Sequence, residues 1–76
     1  MKTLEQLGFV EERIDDRVLF KRPKLFFDYY EWIAFNLSYK EIDISESINT
    51  IDMMLLEAIH TKAKELFIWL KNIKKY

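Results

Sequence analysis

From Ile51 onward no glycine or proline occurs, and apolar residues recur at the helical period almost to the end of the 76-residue chain. That pattern fits a long amphipathic helix occupying the last third of the sequence. The expected span runs from about Thr50 to about Asn72. Asn49 or Thr50 suits the N-cap, and Asn49 with Asp52 resembles a capping box. Asp52 also suits the positive helix end, and Lys71, Lys74 and Lys75 suit the negative end. Such a helix owes most of its stability to burying one face, so the residues upstream must supply the opposing surface.

Those residues read as strands. In Tyr29–Leu37, aromatic and β-branched side chains dominate. Tyr29, Ile33, Phe35 and Leu37 share one face with Glu31, and Tyr30, Trp32 and Ala34 share the other. Both faces are largely apolar, which marks a central strand. Trp32 or Tyr30 is expected against Leu55, Ile59 and Leu66 of the helix. Asp15-Asp16 fits the turn of a hairpin, with Val10, Glu12 and Ile14 on one face of its first arm and Val18 and Phe20 together on its second. Pro23 marks the exit from that arm. Glu41–Ile44 alternates, pointing Ile42 and Ile44 inward. Strands are expected at Val10–Ile14, Val18–Lys21, Tyr30–Asn36 and Glu41–Ile44. Thr3–Leu7 reads as one or two helical turns closed by Gly8, the only glycine. Residues 1–76 thus predict one α+β domain: a short N-terminal helix, a three- to four-stranded antiparallel sheet, and one long C-terminal amphipathic helix packed on it.

A domain of this size buries only about 60% of its unfolded surface. It has no cysteine for a disulfide or a thiolate metal site, so packing or association must supply its stability. Half the residues are hydrophobic, and six Phe, four Tyr and two Trp carry large buried areas. The 12 basic and 13 acidic side chains nearly cancel, so no global field favours nucleic acid or an acidic membrane. Met1-Lys2-Thr3-Leu4-Glu5 lacks the apolar region of a secretory signal, and no apolar run reaches the ~18 residues of a membrane span. The expected location is cytoplasmic. Asn36-Leu37-Ser38 matches a glycosylation sequon by chance in that setting.

On a helical wheel Ile51, Leu55, Ala58, Ile59, Leu66, Trp69, Leu70 and Ile73 form the stripe that should meet the sheet. Leu56, Ala63 and Phe67 lie beside it, and Met53 and His60 lie further round. Lys62 falls inside the stripe, where its stem can be buried while its ammonium reaches water. So wide an apolar arc has two explanations. Either the N-terminal helix and the segment Leu25–Phe27 cover its second side, or Met53, Leu56, His60, Ala63 and Phe67 form a surface for a protein partner or a second copy. In a homodimer paired through these helices Phe67 would be the anchor.

Catalytic constellations are sparse. His60 is the only histidine, so no standard zinc site can form. Ser45 and Ser47 with His60 and an aspartate could be drawn as a triad, but no nucleophile elbow accompanies them, and a packed or half-exposed structural histidine is the simpler reading. Glu11-Glu12 with Asp15-Asp16, and Asp28 with Glu31, could suggest a cation site. In a strand, however, Glu11 and Glu12 point to opposite faces, leaving solvated charges. One glycine cannot build a phosphate loop. The expectation is a protein without enzymatic activity, cofactor or metal.

Lys21, Arg22 and Lys24 interleave with Phe20, Phe26 and Phe27, the pattern with which single-strand binders pair cations to phosphate and rings to bases. The alternative function is therefore single-stranded nucleic-acid binding by Lys21, Arg22, Lys24, Phe26 and Phe27. Against it, residues 23–60 carry seven acids and only two lysines, which would oppose a phosphate backbone unless they faced away.

Leu7-Gly8-Phe9 closing a short helix, a charged meander, and a single helix with Leu55, Ala58-Ile59, Lys62, Glu65-Leu66 and Trp69 in rhythm resemble small uncharacterised proteins of phages and mobile elements of Gram-positive bacteria. The pattern spans most of the chain and departs in length, since this helix continues past Trp69 to about Tyr76. The resemblance implies an accessory factor that binds and inhibits a host protein, including defence enzymes, and carries over no active-site residues. The leading expectation is a non-enzymatic protein-binding or adaptor protein acting by occlusion or homodimerisation. No membrane partner is expected.

Overall fold

The computed structural model describes residues 2–23 and 30–73, with the side chains of the helix described as far as Phe67. The strands are β1 (Val10–Ile14), β2 (Arg17–Pro23), β3 (Tyr30–Asn36) and β4 (Glu41–Ile44), followed by helix α1 (Met53–Ile73). The strands form one antiparallel meander in the order β1-β2-β3-β4. Ile14 pairs with Arg17 across the two-residue loop Asp15-Asp16. Such a loop requires a positive φ, and Asp15 adopts +54°. Between β3 and β4, Asn36 Oδ1 accepts the Tyr39 N–H at 2.9 Å, and Lys40 takes the positive φ. β2 is longer than expected and runs through Pro23. The missing N–H costs the ladder nothing, because the register would pair position 23 with residue 8 and β1 begins only at Val10.

The N-terminal segment is a single capped turn, not a helix. Thr3 N–H donates to Gln6 Oε1 at 2.9 Å and Gln6 N–H to Thr3 Oγ1 at 3.1 Å, the reciprocal pattern of a capping box. At the other end Phe9 N–H donates to Leu4 O and Gly8 N–H to Glu5 O, both at 3.0 Å. That is the Schellman pattern, with Gly8 at φ +99° and Leu4 and Phe9 as its apolar pair. The two motifs share the same few residues, so no regular helix fits between them.

Val18 and Phe20 of β2 and Ile33 and Phe35 of β3 form the helix-facing surface. They build the core with Leu4, Phe9, Leu55, Ala58, Ile59 and Ala63, and Leu66 packs against it. Phe20 meets Phe35 edge-on at 5.8 Å, and Phe35 meets Phe67 at 6.2 Å. The expectation that Trp32 or Tyr30 touches Leu55, Ile59 and Leu66 is therefore corrected. The helix packs on the Ile33/Phe35 face, where Phe20 and Val18 stand opposite in register, and not on the Trp32 face. Ile42 and Ile44 share the helix side but stay exposed, because β4 is an edge strand and the core draws its strand residues from β2 and β3.

The helix begins later than expected. Asp52, rather than Asn49 or Thr50, is the N-cap: its Oδ1 accepts the Leu55 N–H and its carbonyl the Leu56 N–H, both at 2.9 Å. Ile51 precedes the helix and is exposed instead of joining the stripe. Lys62 is half-buried, its ammonium 3.1 Å from Glu65 and 3.9 Å from Glu5. Trp69, Leu70 and Ile73 have side chains outside the described residues, as do Lys71, Lys74 and Lys75. Leu25 and Tyr29 lie outside them too.

Candidate functional site

The helix stripe proposed for a partner is divided. Met53, 67% exposed, and Leu56 and His60 face solvent. Ala63 belongs to the core, and Phe67 packs on Phe35. The five residues therefore do not form one surface.

The basic run is committed internally as far as it is described. Arg22 Nη1 donates to Leu7 O at 2.7 Å, and its Nε and Nη2 donate to Glu31 Oε1 at 3.0 and 2.8 Å. The guanidinium also lies 4.3 Å from the centre of the Phe9 ring. One side chain thus ties the N-terminal turn to β2 and β3, stacking on the residue that closes the turn. Lys21 sits 3.1 Å from Glu12 and 5.6 Å from the Tyr30 ring centre. Lys24, Phe26 and Phe27 lie outside the described residues.

Ser45 and Ser47 perform a structural task. Ser45 N–H donates to Trp32 O at 3.0 Å, and Ser45 Oγ accepts the Trp32 N–H at 3.1 Å. Ser47 Oγ donates to Tyr30 O at 3.0 Å and lies 2.7 Å from Ser45 Oγ. Since the single Ser47 hydroxyl proton goes to Tyr30 O, the Ser45 hydroxyl donates to Ser47. The chain of hydroxyls continues the β3 ladder past the end of β4. The acidic residues assemble no metal cluster: among the described residues no group of three or more His, Asp or Glu could hold an ion.

The feature that sequence reasoning missed is the face opposite the helix. Register places Val10, Lys21 and Trp32 in one row, Glu12, Leu19, Ala34 and Asp43 in the next, and Ile14, Arg17, Asn36 and Glu41 in a third. Tyr30 extends the face beyond Trp32. Val10, Ile14 and Tyr30 are 67%, 51% and 55% exposed, while Ala34 is fully buried as the floor. Ile14, Arg17, Leu19, Lys21 and Trp32 line a hollow of about 330 Å³. A second, more open hollow lies on the other side of Trp32, against Tyr30, Ser45 and Ser47. Four charges on this face form two pairs, Lys21 with Glu12 and Arg17 with Asp43 at 3.8 Å, and Glu41 stands at the end of the third row. The alternation of each strand was readable in the sequence. The juxtaposition was not, because it depends on which side the helix takes.

Among the described residues no helix is long and apolar enough to cross a membrane. No known family profile matches the chain, and no curated protein and no solved structure matches it.

Proposed function

We propose that this chain is a non-enzymatic protein-binding module whose docking surface is the helix-free face of its sheet, centred on Trp32. The observation that carries this reading is the hollow between Trp32, Leu19 and Ile14, flanked by paired charges and left uncovered by α1. An exposed apolar surface rimmed by polar groups is a recurrent feature of partner sites. A half-buried tryptophan at its centre is the kind of residue that dominates interface energetics. The partner is a protein that inserts a large apolar side chain into the hollow. Binding acts by occlusion, the mode that the accessory-factor resemblance also implies.

Nucleic acid suits this face less well. Lys21 and Arg17 already face carboxylates, so few uncompensated cations remain to displace counterions from a phosphate backbone. The discriminating experiment is affinity capture from nuclease-treated source-cell extract, comparing the parent with Leu19→Lys and Met53→Glu/Leu56→Glu. A stoichiometric protein partner should be lost with Leu19→Lys and kept with the helix variant. Circular dichroism checks that both remain folded. A partner kept by Leu19→Lys but lost with the helix variant returns the site to Met53 and Leu56. Capture seen only in a parallel extract without nuclease returns it to nucleic acid.

A further inference from the structure

The sheet has two edges, and they differ in a way the docking surface does not explain. Leu37 N–H donates to Asp16 O, so residues 16 and 37 stand at a hydrogen-bonded position of the β2–β3 register. By alternation Val18, Phe20 and Arg22 bond to β3, and Arg17, Leu19 and Lys21 bond to β1. Their partners Ile14, Glu12 and Val10 therefore turn their backbone groups inward. The N–H and C=O groups of Glu11 and Arg13 face outward. All five β1 residues are exposed. Among the described residues neither Glu11 nor Arg13 has a salt-bridge partner.

We infer that β1 is a self-association edge, on which two copies pair antiparallel across a two-fold axis at Glu12. Glu11 then stands opposite the partner's Arg13, and Arg13 opposite the partner's Glu11. These are the two positions with free backbone groups, so each pair exchanges a full set of ladder bonds. The neighbouring two-fold registers fail on charge. Shifting the axis to Glu11 opposes two glutamates, and shifting it to Arg13 opposes two arginines. At the axis itself each Glu12 is already held by its own Lys21. β4 offers no equivalent, since Glu41, Asp43 and Glu46 make that edge uniformly acidic, a common guard against pairing. The isologous pairing joins two four-stranded sheets into one. It also places the partner's Val10 beside Ile14 on the helix-free face, so that each Trp32 hollow gains an apolar wall from the other copy. The association goes beyond the docking reading and stands without it.

Analytical ultracentrifugation of the full chain tests the register directly. The parent should show a concentration-dependent dimer. Glu11→Arg alone and Arg13→Glu alone each oppose like charges and should raise the dimer Kd about tenfold or more. An equimolar mixture of the two variants restores opposite charges at both positions and should recover the parental dimer. That recovery also shows that both variants are folded. A parent that stays monomeric to millimolar concentration overturns the inference. So do single variants that dimerise like the parent, or a mixture that fails to recover.

Discussion

Replacing Arg22 tests whether the basic run is free for a ligand or consumed by the fold. The guanidinium makes three hydrogen bonds, to Leu7 O and twice to Glu31 Oε1, and stacks on Phe9. Its side chain is 31% exposed and that of Glu31 14%, so the pair lies between a surface bridge and a buried one. Surface pairs contribute about 0–1 kcal/mol, and removing one partner of a buried pair costs about 3–5 kcal/mol. Arg22→Ala also releases the Leu7 carbonyl and uncovers the Phe9 ring. The expected cost is about 2–3 kcal/mol, after discounting the ion pair for its exposure. A domain of this size has only about 4–11 kcal/mol in total. Arg22→Lys keeps the charge but cannot hold Glu31 with a fork and reach Leu7 at once, and should lose about half as much. Urea unfolding followed by circular dichroism reads this directly: with a slope near ~1 kcal/mol per molar, the midpoint should fall by about 2 M or more for Arg22→Ala. A double-mutant cycle with Glu31→Gln isolates the ion pair from the stacking and the carbonyl bond. A midpoint within about 0.5 M of the parent would refute the structural assignment. It would return Arg22 to the pool of residues available for phosphate.

Phe67→Glu should unfold the domain rather than release a monomer, at a cost of about 3 kcal/mol or more, because Phe67 packs on Phe35; a folded variant by circular dichroism would contradict the packing. Met53→Glu/Leu56→Glu, on the solvent side of the same helix, should stay within about 0.5 kcal/mol of the parent in that denaturation. Asp52→Ala should cost about 1 kcal/mol by thermal melting, while Asn49→Ala and Thr50→Ala leave the melt unchanged, and the reverse ranking would move the cap upstream. Gly8→Ala places a Cβ 3.2 Å from Arg22 Cδ at φ +99° and should cost about 1–2 kcal/mol in urea unfolding; a neutral result would mean that the turn is not held in this conformation.

Local rules account for what was legible. The strands at Val10–Ile14 and Glu41–Ile44 follow from period-two alternation, Tyr30–Asn36 from its aromatic and β-branched content, and α1 from an uninterrupted helical period. Gly8 was readable as a stop because a positive φ is a property of one residue. The N-terminal turn was misjudged in length: Thr3 with Gln6 and Leu4 with Phe9 close both of its ends within one turn, and the capping box at its start went unread. The N-cap is Asp52 and not Asn49 or Thr50; all three residue types cap helices, so residue type alone did not separate them.

The tertiary structure alone decided the sides. Alternation showed that Tyr29–Leu37 had two apolar faces. It could not say which one α1 would cover, since Trp32 and Phe35 offer comparable area. Register resolves it: Val18 and Phe20 stand beside Phe35 and Ile33, and Leu4 and Phe9 complete that side, so the helix buries more apolar surface there. The same choice left Ile14 exposed and Trp32 and Leu19 half-buried on the side away from the helix, and it divided the helix stripe between core and solvent. Side-chain period is local, written in neighbouring residues. The identity of the buried face depends on contacts between strands distant in sequence, and those form only when the whole chain packs.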